Sequence, residues 1–338
     1  MALTDWLAEL KYDPLKTLTA SGNEAVAYFA RRDLLGEDPG PVDAVWGLPE
    51  ASKILRRQRE DGSWRPSGKA DGYPPGHKAL LETFKALRVL VRQYQFTRNH
   101  EAVARAAEYL FGWQTPDGDF RGFIGDQYAT YYTGETMAVL ILCGYGDDPR
   151  IHRGFKWLLS MRQGDGGWTV PILTHRFDRA TWYRVTAEPW ETIEPDRSKP
   201  FSHNWTDMVL RAFAVHPGYS RREEALHASG LLKTRFFKPD EYTSYRDPDY
   251  WVRFLFWWPN LVTSLDSLSR MGFSRNDPDI RRALNWLVEN QRPDGLWSTS
   301  YKEGDVEKDT PVARERELWL TIDICRILKR FNEKVVRL

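Results

Sequence analysis

At 338 residues the chain is long enough for one large domain or two ordinary ones. Its 48 Lys and Arg are interspersed with 47 Asp and Glu, which leaves no basic stripe for nucleic acid. Two cysteines exclude a disulfide framework, and no apolar stretch approaches a membrane span or a signal peptide, so a soluble, cytoplasmic protein is expected.

In chain order, a short helix around Leu3–Leu10 and another over Asn23–Leu34 make a first pair. The segment Gln58-Arg59-Glu60-Asp61-Gly62-Ser63-Trp64 follows, and then an apolar helix over Lys78–Val91. Tyr109-Leu110 leads into Gln114-Thr115-Pro116-Asp117-Gly118-Asp119-Phe120, and an apolar helix over Thr133–Leu142 comes next. Asp148-Pro149 supplies an N-cap and first turn for an amphipathic helix through Trp157-Leu158. That helix ends at Arg162-Gln163-Gly164-Asp165-Gly166-Gly167-Trp168, with Arg in the Gln slot, and Asn204–Val215 follows. A degenerate copy near Leu231–Phe237 precedes Pro259–Met271. Asp277-Pro278 then opens a helix through Trp286-Leu287, closed by Gln291-Arg292-Pro293-Asp294-Gly295-Leu296-Trp297 and followed by Glu317–Phe331.

A motif recurring at this scale marks stacked supersecondary units. Helices before each Asp-Gly are polar on one face, whereas those after it are apolar on most faces and should be buried. The pattern predicts an all-α fold, a single α/α toroid (barrel) of about six helical hairpins with inner and outer helices, forming one domain over residues 1–338. No convincing strand is read. Inner-to-outer connections are short (Gly144–Asp148, Pro217–Ser220, Gly272–Asp277), whereas outer-to-inner ones are long (Thr169–Ser202, Phe237–Phe256, Ser298–Arg316). Long loops of compact domains are often binding elements, so the working end is expected where inner helices begin.

The repeated Gln-x-x-Asp-Gly-x-Trp resembles the QW repeat of squalene–hopene cyclases and oxidosqualene cyclases, shared in looser form by protein prenyltransferase β subunits. The resemblance implies a scaffold role for Gln58, Trp64, Gln114, Phe120, Trp168, Gln291 and Trp297, which would join each outer helix to the next inner one. It also implies an isoprenoid-processing enzyme like a class II terpene cyclase. The Asp-x-Asp-Asp of such cyclases is missing, since Asp147-Asp148 begins an outer helix at the opposite end. Asp323-Ile324-Cys325 matches half of the prenyltransferase zinc pattern, but no His follows His227, so neither metal nor cofactor is expected.

Aligned by apolar pattern, the inner helices each carry an acid near their start: Glu24, Glu82, Glu135, Asp207 and Asp323, with Asp266 a turn beyond Thr263. Glu24 and Glu82 read as helix-start acids opposing the macrodipole. Asp207 and Asp323 lie among apolar neighbours, and a buried carboxylate must be paired or hold a proton. A held proton is what a general acid needs, so Asp207, Asp323 and Glu135 are the catalytic candidates. Tyr131, Tyr132, His203, Trp205, Trp257, Trp258, Asn260 and Trp319 cluster near the same helix starts and are the substrate-binding candidates. Aromatic faces stabilise cations and also bind sugar rings. Lys78, Lys199, Arg246, Arg253, Arg314 and Arg316 could hold a diphosphate at that end.

The leading expectation is protonation of an apolar polyene in an aromatic-lined central cavity. A non-catalytic binder of an isoprenoid or other apolar ligand is the first alternative, and a carbohydrate-active toroid with paired carboxylates is the second. The expected partner is an apolar small molecule; a peripheral membrane contact and the oligomeric state are left open.

Overall fold

The computed structural model describes residues 6–66, 76–242, 246–254, 257–305 and 309–333. Its helices, in chain order, are α1 (Leu15–Thr19), α2 (Glu24–Phe29), α3 (Pro49–Leu55), α4 (His77–Tyr94), α5 (Glu101–Phe111), α6 (Thr130–Leu140) and α7 (Pro149–Ser160). They continue as α8 (Arg179–Ala187), α9 (His203–Val215), α10 (Glu223–Lys233), α11 (Leu261–Arg270), α12 (Pro278–Glu289) and α13 (Pro311–Asn332). One four-residue strand, Phe123–Asp126, lies between α5 and α6, where none was expected. The helix starts follow from local chemistry. The side chains of Asp148 and Asp277 each accept backbone N–H bonds ahead of a first-turn Pro, as their sequence pattern predicts.

The chain divides into two compact units, Met1–Pro41 with Ser229–Leu338 and Val42–Ala228. In the second unit α6 and α9 are buried around almost their whole circumference, whereas α5 and α7 bury one face. In the first unit, α12 is likewise one-faced and α13 packs against α11 and α2. This is the alternation of polar-faced and buried helices expected of inner and outer partners. The long connection Thr169–Ser202 is partly ordered into a 3-10 turn, Pro171–Thr174, and α8. Parts of Leu3–Leu10 and of Phe237–Phe256 lie outside the described residues.

Each repeat turn is built in one way. Gln58 donates through Nε2 to the carbonyl oxygens of Gly62 (3.1 Å) and Ala102 (2.7 Å), the latter on the next outer helix. Gln114 does so to Gly118 and Arg150, and Gln291 to Gly295 and Tyr12. In the copy with Arg, the Arg162 Nε donates to Gly166 O at 2.8 Å, so a guanidinium replaces the amide. Trp64, Trp168 and Trp297 each donate Nε1 to the carbonyl ten residues earlier, at 2.7–2.8 Å. Gly62 has φ +85°, and a Cβ there would lie 2.4 Å from Arg105 O on the adjoining outer helix, so only glycine permits the contact.

A second anchor was not read from the sequence. The backbone N–H of the turn's aromatic residue donates to a threonine hydroxyl on the following inner helix: Trp64 to Thr83, Phe120 to Thr133, Trp168 to Thr206 and Trp297 to Thr321, at 2.8–3.3 Å. Loop lengths between aromatic and threonine differ in every repeat, which hides the pairing from a fixed-spacing search. Taken from these threonines, a second regularity emerges: Arg88, Arg211 and Arg326 each stand five residues beyond the anchor.

Candidate functional site

The best-defined site is in the second unit, where α6 meets α9. A Cβ on Gly134 would lie 2.5 Å from Val209 Cα, so the bare glycine sets how closely the two helices approach. That approach brings together their first turns and the residues one turn deeper.

The first turns form an aromatic tier. The Tyr131 ring lies 4.4 Å from Trp205 and 4.5 Å from Tyr132, centre to centre. Tyr132 stacks on Phe123 of the short strand at 4.0 Å and meets Phe84 of α4 edge-on at 5.4 Å. Burial pushes the Tyr132 phenol up to about 12, so it stays protonated at neutral pH. Tyr131 is half-buried and Trp205 is buried. His203 and Asn204, also buried, occupy the first turn of α9, which Ser202 caps by accepting from Trp205 N–H. Phe84 and Phe123 were not singled out by sequence, because neither lies at the start of an apolar helix.

Beneath it lies an ionic tier. Arg211, itself buried, donates Nη2 and Nε to Asp207 Oδ2 at 2.6 and 3.1 Å and Nη1 to Glu135 Oε2 at 3.3 Å. Arg92 Nη2 reaches Glu135 Oε1 at 3.2 Å. Arg88, one helical turn before Arg92, is buried with its guanidinium 5.1 Å from the centre of the Phe84 ring. Burial pulls the Arg88 guanidinium down to about 9, with Glu135 opposing and Arg92 and Arg211 adding to the fall. For Arg211 burial also opposes the charge, but Asp207 and Glu135 outweigh it and the guanidinium is raised. The burial of Asp207 and Glu135 is as expected. Both carboxyl groups are ion-paired with Arg211.

The remaining candidates belong to the first unit. Asp323 was expected among apolar neighbours, but its side chain is 57% exposed and pairs with Arg326 at 3.1 Å. The reason is helical geometry. Ile322 and Ile324 are buried, yet adjacent residues on a helix point about 100° apart, so the acid between them faces away. Trp257 and Trp258 are half-buried and meet edge-to-face at 5.0 Å. They precede α11 rather than lying on it. Asn260 caps that helix: its Oδ1 accepts from Val262 and Thr263 N–H, and its Nδ2 donates to Trp258 O. Trp319 is buried, with its ring 6.0 Å from Phe29. Several cations proposed for a diphosphate have acidic partners of their own, Arg253 with Asp305 and Arg314 with Asp294 and Glu317.

Residues 82–176, which include Tyr131, Tyr132 and Glu135, match the squalene-hopene cyclase C-terminal domain. A probable squalene–hopene cyclase of Sinorhizobium fredii is 31% identical over 123 residues, covering 34% of this chain and 19% of that protein. The squalene–hopene cyclase of Bradyrhizobium diazoefficiens is 29% identical over 162 residues, covering 45% and 23%. The matches thus span about a fifth of the length of these curated relatives. Among solved structures, the type II terpene cyclase MstE from Scytonema aligns over 94% of this chain and 98% of its own, with 16% identity and a TM-score of 0.42. Through the squalene-hopene cyclase match and its QW turns, the chain is similar over residues 82–176 to members of the prenyltransferase and squalene cyclase repeat superfamily.

Proposed function

We propose that the protein takes an isoprenoid substrate against the aromatic tier of its second unit and processes it in the manner of a class II terpene cyclase. The observation that carries this reading is the convergence of Tyr131, Tyr132, Trp205, Phe84 and Phe123 within ring-contact distance of one another. Electron-rich faces gathered in a dry site hold a polyene by area burial and stabilise a cation formed on it. Two relatives named as squalene–hopene cyclases support the same class.

One observation favours a second reading, a binder that holds the isoprenoid without turnover. Asp207 and Glu135 are both engaged by Arg211, and a carboxylate so held is poorly suited to deliver a proton. The same arrangement speaks against glycosidic chemistry, which needs two carboxyl groups facing across an open gap.

The experiment is incubation of the full chain with squalene and, separately, with linear prenyl diphosphates, followed by mass spectrometry of extracted products and a tryptophan-fluorescence titration. Catalysis predicts cyclic products, and a drop of about 100-fold in their rate for Asp207→Asn if that carboxyl is the acid. Saturable quenching without product selects the binder. In either case Tyr131→Ala with Trp205→Ala should weaken binding roughly tenfold or more. Neither product nor saturable quenching with any polyene would overturn both readings.

A further inference from the structure

Away from the aromatic and ionic tiers, one local motif recurs with two kinds of acceptor. At junctions where an inner helix hands over to an outer one, a side chain accepts a hydrogen bond from the backbone N–H two residues on. Asp148 accepts from Arg150 N–H at 2.8 Å, opening α7, and Asp277 accepts from Asp279 N–H at 3.1 Å, opening α12. His100 fills the same role before α5, where its Nδ1 accepts from Ala102 N–H at 3.2 Å. After α9, His216 Nδ1 accepts from Gly218 N–H at 3.0 Å.

The kind of acceptor decides what acid does to the junction. A carboxylate goes on accepting until the pH falls to about 4 or below. An imidazole accepts through Nδ1 only while that nitrogen is bare; once protonated, it turns an N–H toward the N–H it formerly held. At His100 the imidazolium would also stand at the positive end of the α5 macrodipole. His216 is held from both sides. Its Nε2 lies 3.1 Å from the Gly146 carbonyl oxygen, so that nitrogen is the donor and Nδ1 is left as the acceptor. The ring is buried, edge-on to Phe155 at 5.2 Å and to Tyr219 at 4.9 Å. The His216 carbonyl in turn accepts from the Tyr219 and Ser220 N–H groups that close the turn.

Burial comes first at both rings and favours the neutral form. Around His100, Arg105 adds to that effect and Glu101 opposes it. Around His216, the bond to Gly146 opposes it, His152 of α7 adds to it and Asp147 opposes it. The His152 ring lies 5.7 Å from His216, and the Tyr219 hydroxyl is 3.4 Å from His152 Nδ1.

We propose that His100 and His216 form an acid-sensitive device in the second unit: protonation of either ring releases the backbone N–H it holds, freeing the first turn of α5 or the Pro217–Ser220 turn, while the aspartate junctions stay closed. The bonds contribute in full above the unfolded imidazole value, about 6.5, and are lost as the pH falls through the lower folded value of each ring. The device owes nothing to the isoprenoid reading, and either can fail without the other.

The test is hydrogen–deuterium exchange of the full chain at about pH 7.5 and about pH 5.3, read by mass spectrometry with labelling times scaled to equal intrinsic exchange. Peptides covering residues 100–104 and 216–221 should lose protection roughly threefold or more at the lower pH, with no comparable change over residues 148–152. His100→Asn and His216→Asn each keep an acceptor for the N–H two residues on but do not titrate. In each variant the acid-dependent loss should vanish at the altered junction and persist at the other. A loss at one histidine junction alone confines the device to that ring. No loss at either, an equal loss at the Asp148 junction, or a loss that survives in the Asn variants overturns the proposal. Should a variant fail to fold, the wild-type contrast between histidine and aspartate junctions decides by itself.

Discussion

At the level of single residues, the fate of Asp207 separates two uses of a buried carboxylate. Acids among apolar neighbours were legible from the sequence, but their partner was not. Arg211 follows four residues later, where an ordinary reading assigns a surface i,i+4 pair. Such pairs contribute a few tenths of a kcal/mol on an exposed helix. Here both groups are buried, so removing one leaves the other charged and desolvated. Asp207→Asn is therefore expected to destabilise the protein by about 3 kcal/mol in urea unfolding. Asp323→Asn, at an exposed pair, should change it by less than about 1 kcal/mol. Equal effects at the two positions would refute the distinction drawn between them. Double replacement of Asp207 and Arg211 by apolar residues should recover much of the loss, since removal of a whole buried pair is often near neutral.

At the scale of helices and turns, what the sequence revealed and what it concealed have separable causes. Gln58, Gln114 and Gln291 were readable because their two acceptors are fixed by short local geometry, the turn glycine and the next outer helix. The threonine anchors were hidden because the chain between aromatic and threonine varies freely in length while their contact does not. Thr206 shows what that contact does: its hydroxyl accepts from Trp168 N–H at 2.8 Å and donates to Trp168 O at 3.0 Å. Thr206→Val preserves shape but strands the Trp168 N–H in a buried place, the Trp168 carbonyl keeping its bond from Ser202 N–H, which should cost about 2 kcal/mol in chemical unfolding. A loss below about 0.5 kcal/mol would show that the anchor is dispensable. The α6–α9 contact was half legible. Gly134 stood in the sequence as a small residue beside Glu135, but nothing there said that Val209 backbone would press against it. Gly134→Ala forces the two helices apart and should destabilise by about 1–3 kcal/mol, despite the better helix propensity of alanine. Because both tiers depend on that approach, ligand binding should weaken in parallel; a variant with unchanged stability and binding would remove Gly134 from the argument.

For the molecule as a whole, charge pairing rather than net charge governs the response to acid. In the first unit burial pushes Asp33 up, but Arg326 and Arg32 outweigh it and hold the carboxyl below its usual range. Asp277 is likewise raised by burial and brought lower by Lys233, and Asp294, raised by burial, is brought far lower by Arg292 and Arg314. In the second unit Arg150 holds Asp148 down chiefly through its hydrogen bond. A carboxyl depressed in the folded state contributes stability that is complete above its unfolded value, about 3.9, and is lost as pH falls through the lower folded value. Two histidines act earlier. Burial, first among the causes, lowers His100 and His216, so below about 6.5 the unfolded chain takes up protons more readily than the folded one. Both effects have one sign: stability falls as pH falls. The melting temperature should therefore be highest near neutrality, decline modestly between about pH 6.5 and 5, and fall steeply below about pH 4. Arg326→Gln removes the foremost of the charges that hold Asp33 down, along with the exposed pair to Asp323. It should lower stability at pH 7 and make the acid limb shallower, because the folded carboxyl then titrates nearer its unfolded value. A melting curve whose acid limb is as steep in Arg326→Gln as in the wild type would show that the Asp33 pairing has no part in it.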